Sequence, residues 1–175
     1  YEVKKRLDLP CNQPVLLTVR RLVPRMGVDT LIEAMPHLLD RKPDLILVVG
    51  SDGPLRLTLE KRTETLGIRD HIRFTGFISY KDLPLYYQAA DLFVMPTKAL
   101  EGFGLPTIES MACGTPTLGT DIGSNTEIIG EFDPRLLIPE ATPEGISKTV
   151  LSAFDLCASD DRIRTRCRQY VEERF

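Results

Sequence analysis

Leu45-Ile46-Leu47-Val48-Val49 runs directly into Gly50-Ser51-Asp52-Gly53-Pro54. Five apolar residues without polar alternation read as a strand buried on both faces, as in a parallel sheet. The glycines turn the chain into a helical segment from Pro54 to about Leu66, with Pro at the first helical position. The same unit recurs on either side. Val15-Leu16-Leu17-Thr18-Val19 and Leu92-Phe93-Val94-Met95 are further apolar runs, and Ile72-Arg73-Phe74 and Pro116-Thr117-Leu118 are weaker ones.

Segments of helical period lie between them. Val28, Leu31, Ile32, Met35 and Leu39 share one helix face, with Pro36 expected to bend that helix. Ser79 opens a capping pattern with Asp82. Leu105 to Cys113 reads as a helix, and Thr142-Pro143-Glu144 and Ser159-Asp160-Asp161 as starts of two last helices, near 143–157 and 160–173. Strand and helix alternating about five times gives an α/β fold, an open parallel sheet with helices on both faces, Rossmann-like, with right-handed crossovers. No linker or repeat divides residues 1–175, so a single domain is expected.

The composition excludes several classes. A net charge of −3 over 175 residues, with both signs spread along the chain, argues against a nucleic-acid binder. No run of 18 apolar residues exists, so no transmembrane segment is expected. Tyr1 to Arg6 carries no signal core, and the chain does not begin with Met, so a fragment of a longer protein is expected. Cys11, Cys113, Cys157 and Cys167 have no CxxC spacing and read as reduced thiols in a cytoplasmic protein. His37 falls in a helix and His71 opens a strand, so both read as structural.

Open parallel sheets bind ligands beyond the carboxyl ends of their strands. The loops there are Arg20 to Gly27, Gly50 to Pro54, Gly76-Phe77-Ile78, Pro96 to Gly104 and Gly119 to Gly123. Each contains glycine, which admits a ligand close to the backbone. Gly102-Phe103-Gly104 feeds a helix whose free N–H groups and dipole favour an anion. Arg21 and Arg25 stand at the same sheet edge, and a diphosphate uses both features. Glu101 precedes the glycines and Glu109 lies one turn into the helix. As acceptors from vicinal hydroxyls, they fit a sugar on either side of a diphosphate.

Glu101-Gly102-Phe103-Gly104-Leu105-Pro106-Thr107-Ile108-Glu109 resembles the Glu-x7-Glu motif of retaining GT-B glycosyltransferases, especially family 4. Arg20-Arg21-Leu22 resembles that family's Gly-Arg-Leu, and Gly50 to Pro54 its Gly-x-Gly-Pro turn. Phe74 to Phe77, Ala90 to Pro96, Ser110 to Pro116 and Gly123 to Glu127 are similar to further blocks, so the resemblance covers nearly the whole chain.

The resemblance implies the C-terminal, donor-binding half of a GT-B enzyme, with Tyr1 to Pro10 as interdomain connector, 160–175 as the final helix, and the N-terminal acceptor domain absent. Peripheral membrane association would run through that absent domain. The donor would be a UDP-sugar or GDP-sugar, with no cofactor and no metal. Arg21 would pair with the diphosphate. Gly102, Phe103 and Gly104 would offer N–H groups, and Leu105 and Thr107 would lie against phosphate or ribose. Glu101 would hold donor-sugar hydroxyls and Glu109 the ribose. Gly76, Phe77 and Ile78 would flank the base, and Gly53 belongs to the donor-side turn. Glu101 and Arg21 would be the catalytic residues.

Two positions depart from the pattern. Met26 replaces the usual Lys before Gly27, and Arg25 is expected to supply that charge. Arg20 stands where Gly is usual, where it either closes backbone approach to the phosphate or adds a cation. A sugar-nucleotide epimerase of the same fold and a noncatalytic sugar-nucleotide-binding module are the alternatives. A dinucleotide oxidoreductase would need Gly-x-Gly-x-x-Gly after the first strand, and Val19 to Gly27 lacks it.

Overall fold

The computed structural model describes residues 2–175. Six strands form one sheet: β1 (Val15–Val19), β2 (Ile46–Gly50), β3 (Ile72–Gly76), β4 (Leu92–Met95), β5 (Thr117–Thr120) and β6 (Leu137–Ile138). Their order is β3-β2-β1-β4-β5-β6, and every pairing is parallel. Among the described residues, eight α-helices connect or flank them: α1 (Glu2–Arg6), α2 (Val28–Leu39), α3 (Arg56–Thr65), α4 (Leu83–Ala89), α5 (Leu105–Ala112), α6 (Ser124–Phe132), α7 (Pro143–Ser159) and α8 (Ile163–Arg174).

The apolar runs are needed because both faces of the sheet are covered. Leu16, Leu47, Val49, Leu92 and Val94 pack with α2 and α7 residues such as Leu31, Ile32, Met35, Ile146 and Val150. Their neighbours in sequence, Val15, Leu17, Ile46, Val48, Phe93 and Met95, pack on the other face with Leu9 and Tyr87. A strand side chain alternates faces, so two buried faces demand apolar residues at every position. A smaller cluster of Met111, Ile128, Ile163, Cys167 and Val171 ties α8 to α5 and α6.

Several expectations are corrected. A sixth strand, Leu137–Ile138, joins β5; two residues are too short to show as an apolar run. Pro54 lies in the turn before α3, which begins at Arg56. Pro36 sits inside α2, which continues to Leu39, and Leu38 rather than Leu39 is the fully buried residue of the last turn. Thr142 caps α7 as expected, its hydroxyl accepting from the Gly145 N–H at 3.1 Å. Ser79 Oγ accepts from the Asp82 N–H at 3.2 Å, one residue before α4. Asp160 accepts from the Arg162 N–H, so α8 starts at Ile163 rather than 160. Of the expected connector, Tyr1 lies outside the described residues. Glu2–Arg6 is helical, and Lys4 bonds the Gln13 carbonyl and Asp91 at 2.8 and 3.0 Å. His71 closes a 3-10 turn just before β3, its Nδ1 3.1 Å from the Leu45 carbonyl. No described helix is long and apolar enough to cross a membrane.

Candidate functional site

The strand order reverses between β1 and β4, and the carboxyl edge at such a switch point is where open parallel sheets bind ligands. The loops 20–27 after β1 and 96–104 after β4 meet there. These loops are stapled together. Lys98 N–H donates to the Arg25 carbonyl at 2.8 Å, Arg25 Nη1 to the Leu100 carbonyl at 3.0 Å, and Lys98 Nζ to Asp29 at 2.7 Å. Gly27 makes this approach possible. Its φ is +71°, and a Cβ there would stand 1.8 Å from the Pro96 carbonyl oxygen.

From the second loop the chain enters α5 through Gly104, whose φ of +74° sets the helix entry. The N–H groups of Gly102, Phe103 and Gly104 have no hydrogen-bond partner among the described residues. Three open donors before a helix N-terminus are free to donate to an anion. Arg21 is exposed on the facing loop, and its side chain makes no ion pair among the described residues. Arg25 is exposed as well, with one nitrogen committed to Leu100.

Arg20 differs from both. It is 7% exposed, and its Nη2 lies 2.5 Å from Glu101 Oε2, 3.1 Å from Thr97 Oγ1 and 2.8 Å from Met26 Sδ. The Thr97 hydroxyl donates to the same Glu101 oxygen at 2.7 Å. The guanidinium beside Met26 is therefore that of Arg20, while Arg25 stays exposed on the same loop. Burial pulls the Arg20 guanidinium below its ordinary value, and Glu101 opposes that pull.

Glu109 is half-buried on α5, and its Oε2 accepts from the Tyr87 hydroxyl at 3.0 Å. Tyr87 is buried on α4 and meets the Phe93 ring edge-on at 5.2 Å. Burial, with Glu109 close by, pushes the Tyr87 hydroxyl up, so it stays a donor. Thr107 is turned toward α6. It is fully buried, its hydroxyl lies 3.2 Å from Asn125 Oδ1, and its N–H is taken by the Gly104 carbonyl. The expectation that Thr107 touches phosphate or ribose is corrected: its position in the helix turn aims it at α6. Leu105 points outward and Phe103 is 65% exposed.

The remaining residues stand further along the edge. Ser51 N–H donates to the Gly76 carbonyl at 2.6 Å, joining the β2 and β3 loops, and Phe77 is 79% exposed. Ile78 packs against the Gly50 end of β2. Gly53 lies against the Leu22 backbone, between the Leu22 N–H to Asp52 carbonyl bond and the Leu55 N–H to Leu22 carbonyl bond. Sequence reasoning missed Thr97 and Tyr87. Their signal was position only, one at the end of an apolar strand and one in a short helix. Among the described residues, no three His, Cys, Asp or Glu are grouped to hold a metal ion.

Residues 2–174 match the family described as glycosyl transferases group 1. The chain belongs to that family. Over 153 residues it is 36% identical to the GDP-mannose-dependent alpha-(1-6)-phosphatidylinositol monomannoside mannosyltransferase of Mycolicibacterium smegmatis, covering 71% of this chain and 40% of that protein. Sucrose-phosphate synthase from Thermosynechococcus elongatus superposes with a TM-score of 0.85 at 27% identity, covering 98% of this chain and 44% of that one. The C-terminal domain of a glycosyl transferase group 1 protein from Francisella tularensis superposes with a TM-score of 0.78 at 26% identity, covering 98% and 88%. The group 1 chain thus has the Rossmann-like architecture of GT-B glycosyltransferases, and it spans less than half the length of the mannosyltransferase it matches.

Proposed function

We propose that this chain binds the nucleoside-diphosphate sugar donor of a retaining, family 4 type glycosyltransferase, a hexosyltransferase. The observation that carries the proposal is the set of three N–H groups before α5 without partners among the described residues, on the loop that is bonded to the Arg21-bearing loop at the β1/β4 switch point. That arrangement is complementary to a diphosphate. Gly76, Phe77 and Ile78 would flank the base. Glu109 on the helix would take the ribose, and Glu101 ahead of it the donor sugar.

In the transfer step, charge grows on the departing diphosphate. Arg21, Arg25 and the α5 N-terminus would stabilise it. These groups already supply positive charge, so we propose that donor binding persists in EDTA. Glu101 has one oxygen held by Arg20 and Thr97, which suits orienting a sugar hydroxyl rather than attacking carbon. The mannosyltransferase relative is named for GDP-mannose, which makes that donor the first to try, with UDP-sugars second. Acceptor binding, and hence efficient transfer, is assigned to a further domain.

A thermal-shift panel of GDP, UDP, ADP and their sugar conjugates tests this reading. Stabilisation of about 2.7 kcal/mol is expected at 100 times the dissociation constant of the preferred nucleotide. No shift with any of them at millimolar concentration contradicts it.

A further inference from the structure

We propose that Arg20 is the positioning residue for Glu101, fixing which carboxylate oxygen meets the donor sugar. This rests on the donor-binding reading above. Glu101 Oε2 receives two donors, Arg20 Nη2 at 2.5 Å and the Thr97 hydroxyl at 2.7 Å. Oε1 receives none among the described residues. Both side chains are 7% exposed, so neither swings freely into water. A carboxylate held this way cannot rotate to offer either oxygen; it presents Oε1 alone. One fixed acceptor selects one hydroxyl geometry on the sugar.

The energetics favour a positioning role over a stabilising one. A buried ion pair repays its desolvation only when its remaining protons are satisfied. Arg20 Nε is sealed from solvent and has no partner. The pair is thus an expensive way to stabilise a fold, and what it provides is geometry. Met26 completes the arrangement. Its sulfur lies 2.8 Å from Arg20 Nη2, so a cation at position 26 would press against the guanidinium. With Arg20 removed, a lysine at position 26 would have room to reach Glu101 in its place.

The test is calorimetric titration of the chain with GDP-mannose against GDP, and UDP-glucose against UDP. The wild type is compared with Arg20→Met, Arg20→Lys and the double variant Arg20→Gly/Met26→Lys, each checked for folding by a thermal melt. Arg20→Met is expected to weaken the sugar conjugate about tenfold while changing the plain diphosphate less than about twofold. Arg20→Lys and the double variant should recover most of that loss, because each returns a cation to Glu101. Equal weakening of conjugate and diphosphate, or no rescue by either lysine variant, overturns the positioning role and leaves the donor site standing. Where Arg20→Met does not fold, the two lysine variants decide: a residual loss confined to the conjugate supports the proposal, and one shared with the diphosphate overturns it. A wild type that binds neither pair overturns the donor-site reading, and the Arg20 role with it.

Discussion

The Tyr87 hydroxyl holds Glu109 from behind, donating to Oε2 at 3.0 Å from the buried side of α4. Glu109 Oε1 has no partner among the described residues. The two acids of the Glu-x7-Glu stretch are thus built alike. Each has one oxygen anchored by an internal donor and one left over, though the anchors differ in charge: a guanidinium for Glu101 and a phenol for Glu109.

Tyr87→Phe keeps the ring against Phe93 and removes only the hydroxyl. A single hydrogen bond is lost, so stability should fall by about 0.5–1.5 kcal/mol in urea denaturation. With its orienting donor gone, Glu109 should bind the nucleoside diphosphate more weakly, and the loss should be the same with and without an attached sugar.

The Gln substitutions of the two acids should differ in stability as well as binding. Glu101→Gln leaves Arg20 buried opposite a neutral amide and should cost about 1.5–3 kcal/mol. Glu109→Gln faces a neutral phenol and should cost less than half as much in the same denaturant series. In titration, Glu101→Gln should weaken only the sugar conjugate, and Glu109→Gln both ligands.

Much of this was legible from residues alone. The runs at β1, β2 and β4 announce themselves because two buried faces require apolar side chains at every position. The α5 entry is legible because Gly102 and Gly104 lie immediately ahead of a helix start. What was not legible is pairing across the sheet. Nothing in the sequence says that β4 lies beside β1, and that neighbourhood brings Thr97 and Glu101 to Arg20 across 77 and 81 residues. Two adjacent arginines look alike in sequence. The strand fixes the difference, because Arg20 continues inward from β1 while Arg21 turns out. Thr107 was misplaced for a related reason: membership of the first helical turn does not say which face meets α6.

Gly27→Ala tests the stapling of the two loops. The new methyl would collide with the Pro96 carbonyl, and φ of +71° disfavours any L side chain. A loss of about 2–4 kcal/mol is expected from the denaturation midpoint.

Acid stability has a specific source at the end of α6. Asp133 is buried and accepts from Arg135 Nε at 2.9 Å and Nη2 at 2.7 Å, which holds its carboxyl below the ordinary value of 3.8. A depressed folded-state value means stabilisation that is complete above 3.8 and disappears as pH falls through the folded value. The stability difference between wild type and Asp133→Asn should therefore be constant from pH 7 to about pH 5 and shrink below 3.8. A difference that grows on acidification would contradict this.

The placement of the donor is tested most directly by amide chemical shifts during titration with GDP-mannose, in EDTA. The largest changes are expected at Gly102, Phe103, Gly104 and Leu105, with a second group in the loop from Arg20 to Gly27. Saturable shifts clustered instead at the opposite end of the sheet, in the concavity lined by Lys4, Asn12, Asp91 and Arg164, would contradict the account.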